Sequence, residues 1–134
     1  MTTPTNSTPT PTVSTAARWT GRVLSYLPCL LLVFSGVMKF SSSPDLAKGM
    51  DALGIPLALA PKLGVLELVC TALYLIPRTS MLGAILLTGY LGGATAIHVR
   101  VGDPFIMTVL LGVALWGGLF LREPRLRALI PLRR

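Results

Sequence analysis

Apolar residues fall into four long runs separated by short polar breaks. The first run covers about Trp19 to Phe40, centred on Leu30-Leu31-Leu32-Val33-Phe34. The second covers about Pro56 to Ile76, the third about Ser80 to Val99, and the fourth about Pro104 to Leu121. Runs of this length and apolar content predict helices set in lipid. At about 1.5 Å per residue the first is roughly 33 Å long and the fourth, the shortest, roughly 27 Å. A hydrocarbon layer of about 30 Å sets the scale they have to meet. The pattern predicts an all-α fold, a four-helix transmembrane bundle with antiparallel neighbours.

The breaks predict the connections. Pro77-Arg78-Thr79 joins the second and third runs in a tight hairpin. Arg100-Val101-Gly102-Asp103 joins the third and fourth. Pro104 suits the first turn of the last helix and Asp103 its cap. The loop from Ser41 to Ile55 is long enough for a short surface helix over Pro44 to Leu53. Residues 1–17 are rich in threonine, serine and proline with no apolar face, so they read as a disordered tail ahead of a single domain over 18–130. The tail holds Asn6-Ser7-Thr8, a glycosylation sequon that matters only in a secretory eukaryotic setting. A cleaved signal peptide is the rival reading of the first run; its length and the early Lys39 favour a retained helix.

Composition strengthens the membrane reading. Hydrophobic residues make up 52% of the 134 positions and charged residues only 13%. That is about half the charged share of a soluble domain, too little to clothe one in water. The net charge is +7, and five of the twelve basic residues lie in the last thirteen positions. A basic end beside an apolar run fits anionic headgroups. Aromatics do not alternate with the basic residues, so no nucleic-acid partner is expected. Eight Lys and Arg residues fall on the side of the termini (Arg18, Arg22, Arg78, Arg122, Arg125, Arg127, Arg133, Arg134) and four on the other (Lys39, Lys48, Lys62, Arg100). Both termini are therefore expected in the cytoplasm.

Candidate chemistry is sparse. Of the five acidic residues, only Glu67 lies inside an apolar run. Lys39 at the end of the first run and His98, the one histidine, near the end of the third fall in the same outer half of the bundle. Arg100 and Asp103 lie just above them. Lys39, Glu67, His98, Arg100 and Asp103 thus form the candidate polar cluster. It is either a ligand pocket or proton-handling pair, or an ion pair that sets helix register. Arg100 taken alone reads as a headgroup contact. Glu67, Cys70, Thr71 and Tyr74 share one helical stripe, expected to face the bundle interior. Gly89-x-x-x-Gly93 is expected to serve close packing inside the bundle, with a homo-oligomer contact as the alternative. Cys29 and Cys70 are expected to pack as small apolar residues, a redox pair being the sharper alternative. No metal-ligand set, phosphate loop or nucleophile triad can be assembled.

The run Leu86-Leu-Thr-Gly-Tyr-Leu-Gly-Gly-Ala-Thr-Ala-Ile-His-Val-Arg-Val-Gly-Asp-Pro104 resembles the DoxX-like family of small bacterial membrane proteins. So do Phe34-Ser-Gly-Val-Met-Lys-Phe40, Gly64-Val-Leu-Glu-Leu68 and the closing Arg122-Glu-Pro-Arg-Leu-Arg-Ala-Leu129. The resemblance covers about residues 19 to 130. It implies a four-helix protein of a bacterial inner membrane. The recurrent polar positions of that family fall on Lys39, Glu67, His98, Arg100 and Asp103. The wider group is linked to membrane-associated oxidoreductase systems and to a quinone-reducing enzyme. The expectation is therefore a ligand-binding or accessory subunit of such a system, with a membrane or redox protein as partner. No bound cofactor is expected beyond a quinone-like or lipidic ligand, and no autonomous enzyme activity. A small proton-coupled transporter and a structural assembly protein are the alternatives.

Overall fold

The computed structural model describes residues 12–130. Six α-helices occur in it: α1 Thr15–Met38, α2 Pro44–Ala52, α3 Ala60–Leu75, α4 Ser80–Val101, α5 Ile106–Arg122 and α6 Pro124–Leu129. A single 3-10 turn, Leu57–Leu59, leads into α3. α1, α4 and the stretch Leu57–Leu75 have the length and apolar content to cross a membrane, and α5 is a shorter apolar helix.

Local chemistry sets several boundaries. α1 begins four residues before the expected Trp19, because the Ser14 side chain caps it by accepting from the Ala17 N–H. The rest of the expected tail, residues 1–11, lies outside the described residues, as do Arg133 and Arg134. α2 forms where the loop pattern placed it; Ser43 accepts from the Leu46 N–H and Pro44 occupies the first turn. Pro61 likewise sits in the first turn of α3, where its missing N–H costs nothing. α4 ends at Gly102, whose φ of +74° closes the helix in the left-handed conformation. The Asp103 N–H then reaches back to the His98 carbonyl at 2.9 Å, and the Gly102 N–H to Val99 at 3.2 Å.

Asp103 does not cap the last helix. The residue at that position is Phe105, with no side-chain cap bond, and α5 starts at Ile106. The turn at Gly102 carries Asp103 back toward α4 instead. The C-terminal helix α6 follows a break at Glu123, whose side chain accepts from the Arg125 N–H. The hydropathy pattern does not anticipate α6, which is too short and too basic to register as an apolar run.

The four long helices form a closed up-and-down ring. α1 packs on α3 and α5, and α4 packs on the same two. One core cluster runs through the ring and includes Leu32, Tyr74, Leu87, Leu115 and Leu119. Cys29 and Cys70 are free thiols in that cluster, filling space as small apolar groups. The expected stripe of α3 does face inward: Glu67, Cys70, Thr71 and Tyr74 are all buried. Outward, large apolar side chains are exposed on every long helix, among them Leu30, Phe34, Val69, Ile85 and Val113. In water this would be a continuous aggregation surface; in lipid it is the matched one.

Lipid is as apolar as leucine, so close contact and hydrogen bonds must hold the helices together. Glycines supply the contact at three seams. Between α1 and α5, a Cβ on Gly21 would meet Leu121 Cβ at 3.0 Å. Between α1 and α3, one on Gly64 would meet the Gly36 carbonyl oxygen at 2.8 Å. Between α3 and α4, one on Gly83 would run into the backbone of Leu73 and Tyr74. A polar tie crosses the core as well. Tyr74 donates to the Leu115 carbonyl at 2.7 Å, and the Ser25 hydroxyl lies 3.0 Å from Tyr74 Oη.

Gly89 and Gly93 behave otherwise. A Cβ at either position would meet nothing within 4 Å. The small-residue motif of α4 is not a packing seam within this chain; it borders empty space.

Candidate functional site

The site begins with the seam between α1 and α3. Gly36 and Gly64 bring these backbones together, and Lys39 and Glu67 each lie three residues further on, on the same face. The close approach carries Lys39 Nζ to within 2.6 Å of Glu67 Oε2. Glu67 is 2% exposed and Lys39 16%. A carboxylate this buried requires a counter-charge and donors, and it has both.

Two further groups complete it. Ser35, one turn before Lys39, receives a hydrogen bond from Lys39 Nζ at 2.7 Å and donates to Glu67 Oε2 at 3.4 Å. Tyr90 reaches across from α4 and donates to the same oxygen at 3.1 Å. Three helices thus converge on one carboxylate oxygen. Sequence reasoning selected Lys39 and Glu67 but missed Ser35 and Tyr90. A signal for Tyr90 exists: Tyr90, Ala94 and Ile97 follow the i, i+4, i+7 spacing of one helix face, which also takes in His98.

His98 and Asp103 form a second group. His98 Nδ1 lies 3.2 Å from Asp103 Oδ2, a contact made by the tight turn at Gly102. The carboxylate is an acceptor, so Nδ1 carries the proton and Nε2 is left without a protein partner. Arg100 does something else again. Its Nη2 donates to the Leu53 carbonyl at 3.0 Å, tying the end of α4 to the segment that follows α2. The five residues of the expected cluster fall into three groups, and among the described residues no hydrogen bond joins one group to another.

What unites the first two groups is a cavity. It has a volume of about 430 Å³ and lies among α1, α3, α4 and α5, beneath α2 and the loop after it. Lys39, Glu67, Tyr90 and His98 line it. Leu31, Leu66, Ile97 and Leu111 supply an apolar wall, and Met50, Leu53 and Ile55 lie at the α2 end. Gly89, Gly93 and Ala94 make the α4 wall thin. A largely apolar space of this size with a few convergent polar groups has the character of a small-molecule site.

A helical ring with an apolar exterior and an ion pair inside is an integral, multi-pass membrane protein. A family model described as the DoxX-like family matches residues 23–118. The chain belongs to that family, and the matched range takes in Lys39, Glu67, His98, Arg100 and Asp103. It is shorter than the resemblance read from the sequence, and Arg122 to Leu129 lie beyond it. Neither a curated protein nor a solved structure matches the chain.

Proposed function

We propose that this protein is a ligand-binding or accessory subunit of a membrane-associated redox system, and that its cavity receives a quinone-like or lipidic amphiphile. The observation that carries the reading is the cavity itself: an apolar chamber within the bundle whose wall holds a buried carboxylate, hydrogen-bonded through one of its two oxygens. An amphiphile with a small polar end and an apolar body matches that division. The glycine wall of α4 supports it further. Gly89 and Gly93 bring no backbone closer to another, so their small size serves the volume of the chamber. The charge count favours both termini in the cytoplasm, which turns the cavity and α2 toward the opposite face.

The test uses substitution of the wall. Gly93→Leu adds bulk to the chamber wall at a position where an added Cβ meets nothing within 4 Å. Protein purified from its own membrane is extracted with organic solvent, and the extract is compared with that of the variant by mass spectrometry. The wild type should retain a species that Gly93→Leu does not, and cells carrying Gly93→Leu should lose the linked redox phenotype at unchanged protein abundance. Identical extracts and an intact phenotype would sink the proposal.

A structural role has one observation in its favour, the Lys39–Glu67 bond that joins α1 to α3. Under that reading, replacing the pair with apolar residues is harmless to function as well as to folding.

A further inference from the structure

The cavity has few polar atoms left to offer, and all of them are of one kind. Lys39 has three N–H groups and three acceptors: Glu67 Oε2 at 2.6 Å, Ser35 Oγ at 2.7 Å and the Ser35 carbonyl at 3.5 Å. The Ser35 and Tyr90 hydroxyl protons both go to Glu67 Oε2. The Thr108 hydroxyl donates to the Phe105 carbonyl at 2.6 Å. Every donor on the cavity wall is therefore spent.

Acceptors remain. All the bonds to Glu67 converge on Oε2, and Oε1 receives none. Oε1 is not sealed away either. Among the described residues the one buried side-chain polar atom without a partner is Arg122 Nε, at the far end of the bundle. Oε1 therefore keeps some accessible surface, on a residue that lines the cavity. His98 also lines the cavity, and in the tautomer with Nδ1–H held by Asp103 its Nε2 is a second acceptor.

We infer that the cavity selects amphiphiles whose polar end donates hydrogen bonds, a phenolic or alcoholic hydroxyl, over those whose polar end only accepts. An accepting carbonyl or ether placed beside Glu67 Oε1 loses its water and gains no donor in return. A hydroxyl gains a charge-assisted bond to the carboxylate. This inference rests on the cavity being a ligand site, and it names the chemistry of that ligand's head: of a quinone-like pair, the reduced hydroquinone with its O–H donors fits, and the quinone, whose carbonyls only accept, does not.

The probes are para-hexylphenol and its methyl ether, which differ only in the donor. Binding to the full-length protein in lipid nanodiscs is measured by titration calorimetry, with partition into protein-free nanodiscs subtracted. The phenol should bind about tenfold to a hundredfold more tightly than the ether. Glu67→Gln gives the decisive second reading. Three donors face Oε2, so the glutamine oxygen takes that place and its NH₂ group takes the place of Oε1. The surviving acceptor becomes a donor, and the preference should collapse to about one or favour the ether. If Glu67→Gln fails to elute as a single species, His98→Phe on the partly exposed pair removes the other acceptor and should reduce the ratio. Equal affinities for phenol and ether in the wild type overturn the donor inference and leave the cavity reading standing. No binding of either probe, or binding that Gly93→Leu leaves unchanged, overturns both.

Discussion

Glu67 and Lys39 show what one residue contributes here. Truncating one member of a buried pair leaves a charge with no counterpart, which typically costs about 3–5 kcal/mol. Replacing both with apolar groups often costs little. Lys39→Met should therefore lower the unfolding temperature in detergent clearly more than Lys39→Met/Glu67→Leu does. A double variant as unstable as the single one would contradict this account. Legibility at this scale followed rarity. An ionisable group inside an apolar run is conspicuous, so Lys39 and Glu67 were evident from the sequence. Tyr90 and Ser35 were not, because a tyrosine or serine in such a helix has many ordinary uses. Only the relative rotation of α3 and α4 brings the Tyr90 hydroxyl to Glu67. Asp103 was misread for a related reason. Its position before Pro104 fits a cap, but the left-handed turn at Gly102 redirects it to His98.

Among the elements, α4 carries the clearest contrast. Gly83 faces the backbone of α3 with no room for a side chain, whereas Gly93 faces open space. Gly83→Val should force the two helices apart and cost about 1–3 kcal/mol or more, seen as lost monodisperse protein. Gly93→Val should leave yield and unfolding temperature near the wild type. Equal damage from both would mean that the two glycines share a role. The sequence alone could not separate them. Small residues at helical spacing show that a close approach is permitted, and the register between neighbours decides which of them meets a backbone. Helix count and span limits were legible because periodicity and turn residues are local signals. The Ser14 cap and α6 were not, since both lie where the hydropathy contrast is weak.

For the molecule as a whole, the ring of four long helices is the firm part and the segment around α2 the lightly held one. α2 packs mainly on the 3-10 turn beside it, with Met50 buried and Arg100 reaching the Leu53 carbonyl from α4. Arg100→Ala removes that tie. Amides of residues 50–55 should then exchange with deuterium about tenfold faster, while amides within α1, α3, α4 and α5 keep their protection. Unchanged exchange over residues 50–55 would show that other contacts hold the segment. The overall architecture was readable from the sequence because lipid imposes it: every backbone polar group has to be satisfied within a helix. The arrangement of the interior was not, because it depends on which faces meet.

The ring is not equally tall all round. α4 has 22 residues and α5 has 17, so at about 1.5 Å per residue one wall stands roughly 33 Å and its neighbour roughly 26 Å. A bilayer about 30 Å thick has to pinch beside the shorter wall or leave its ends uncovered. A dimple in the surrounding membrane is therefore the expected consequence on the α5 flank. Thicker acyl chains deepen that dimple, and short-chain lipids should collect against it.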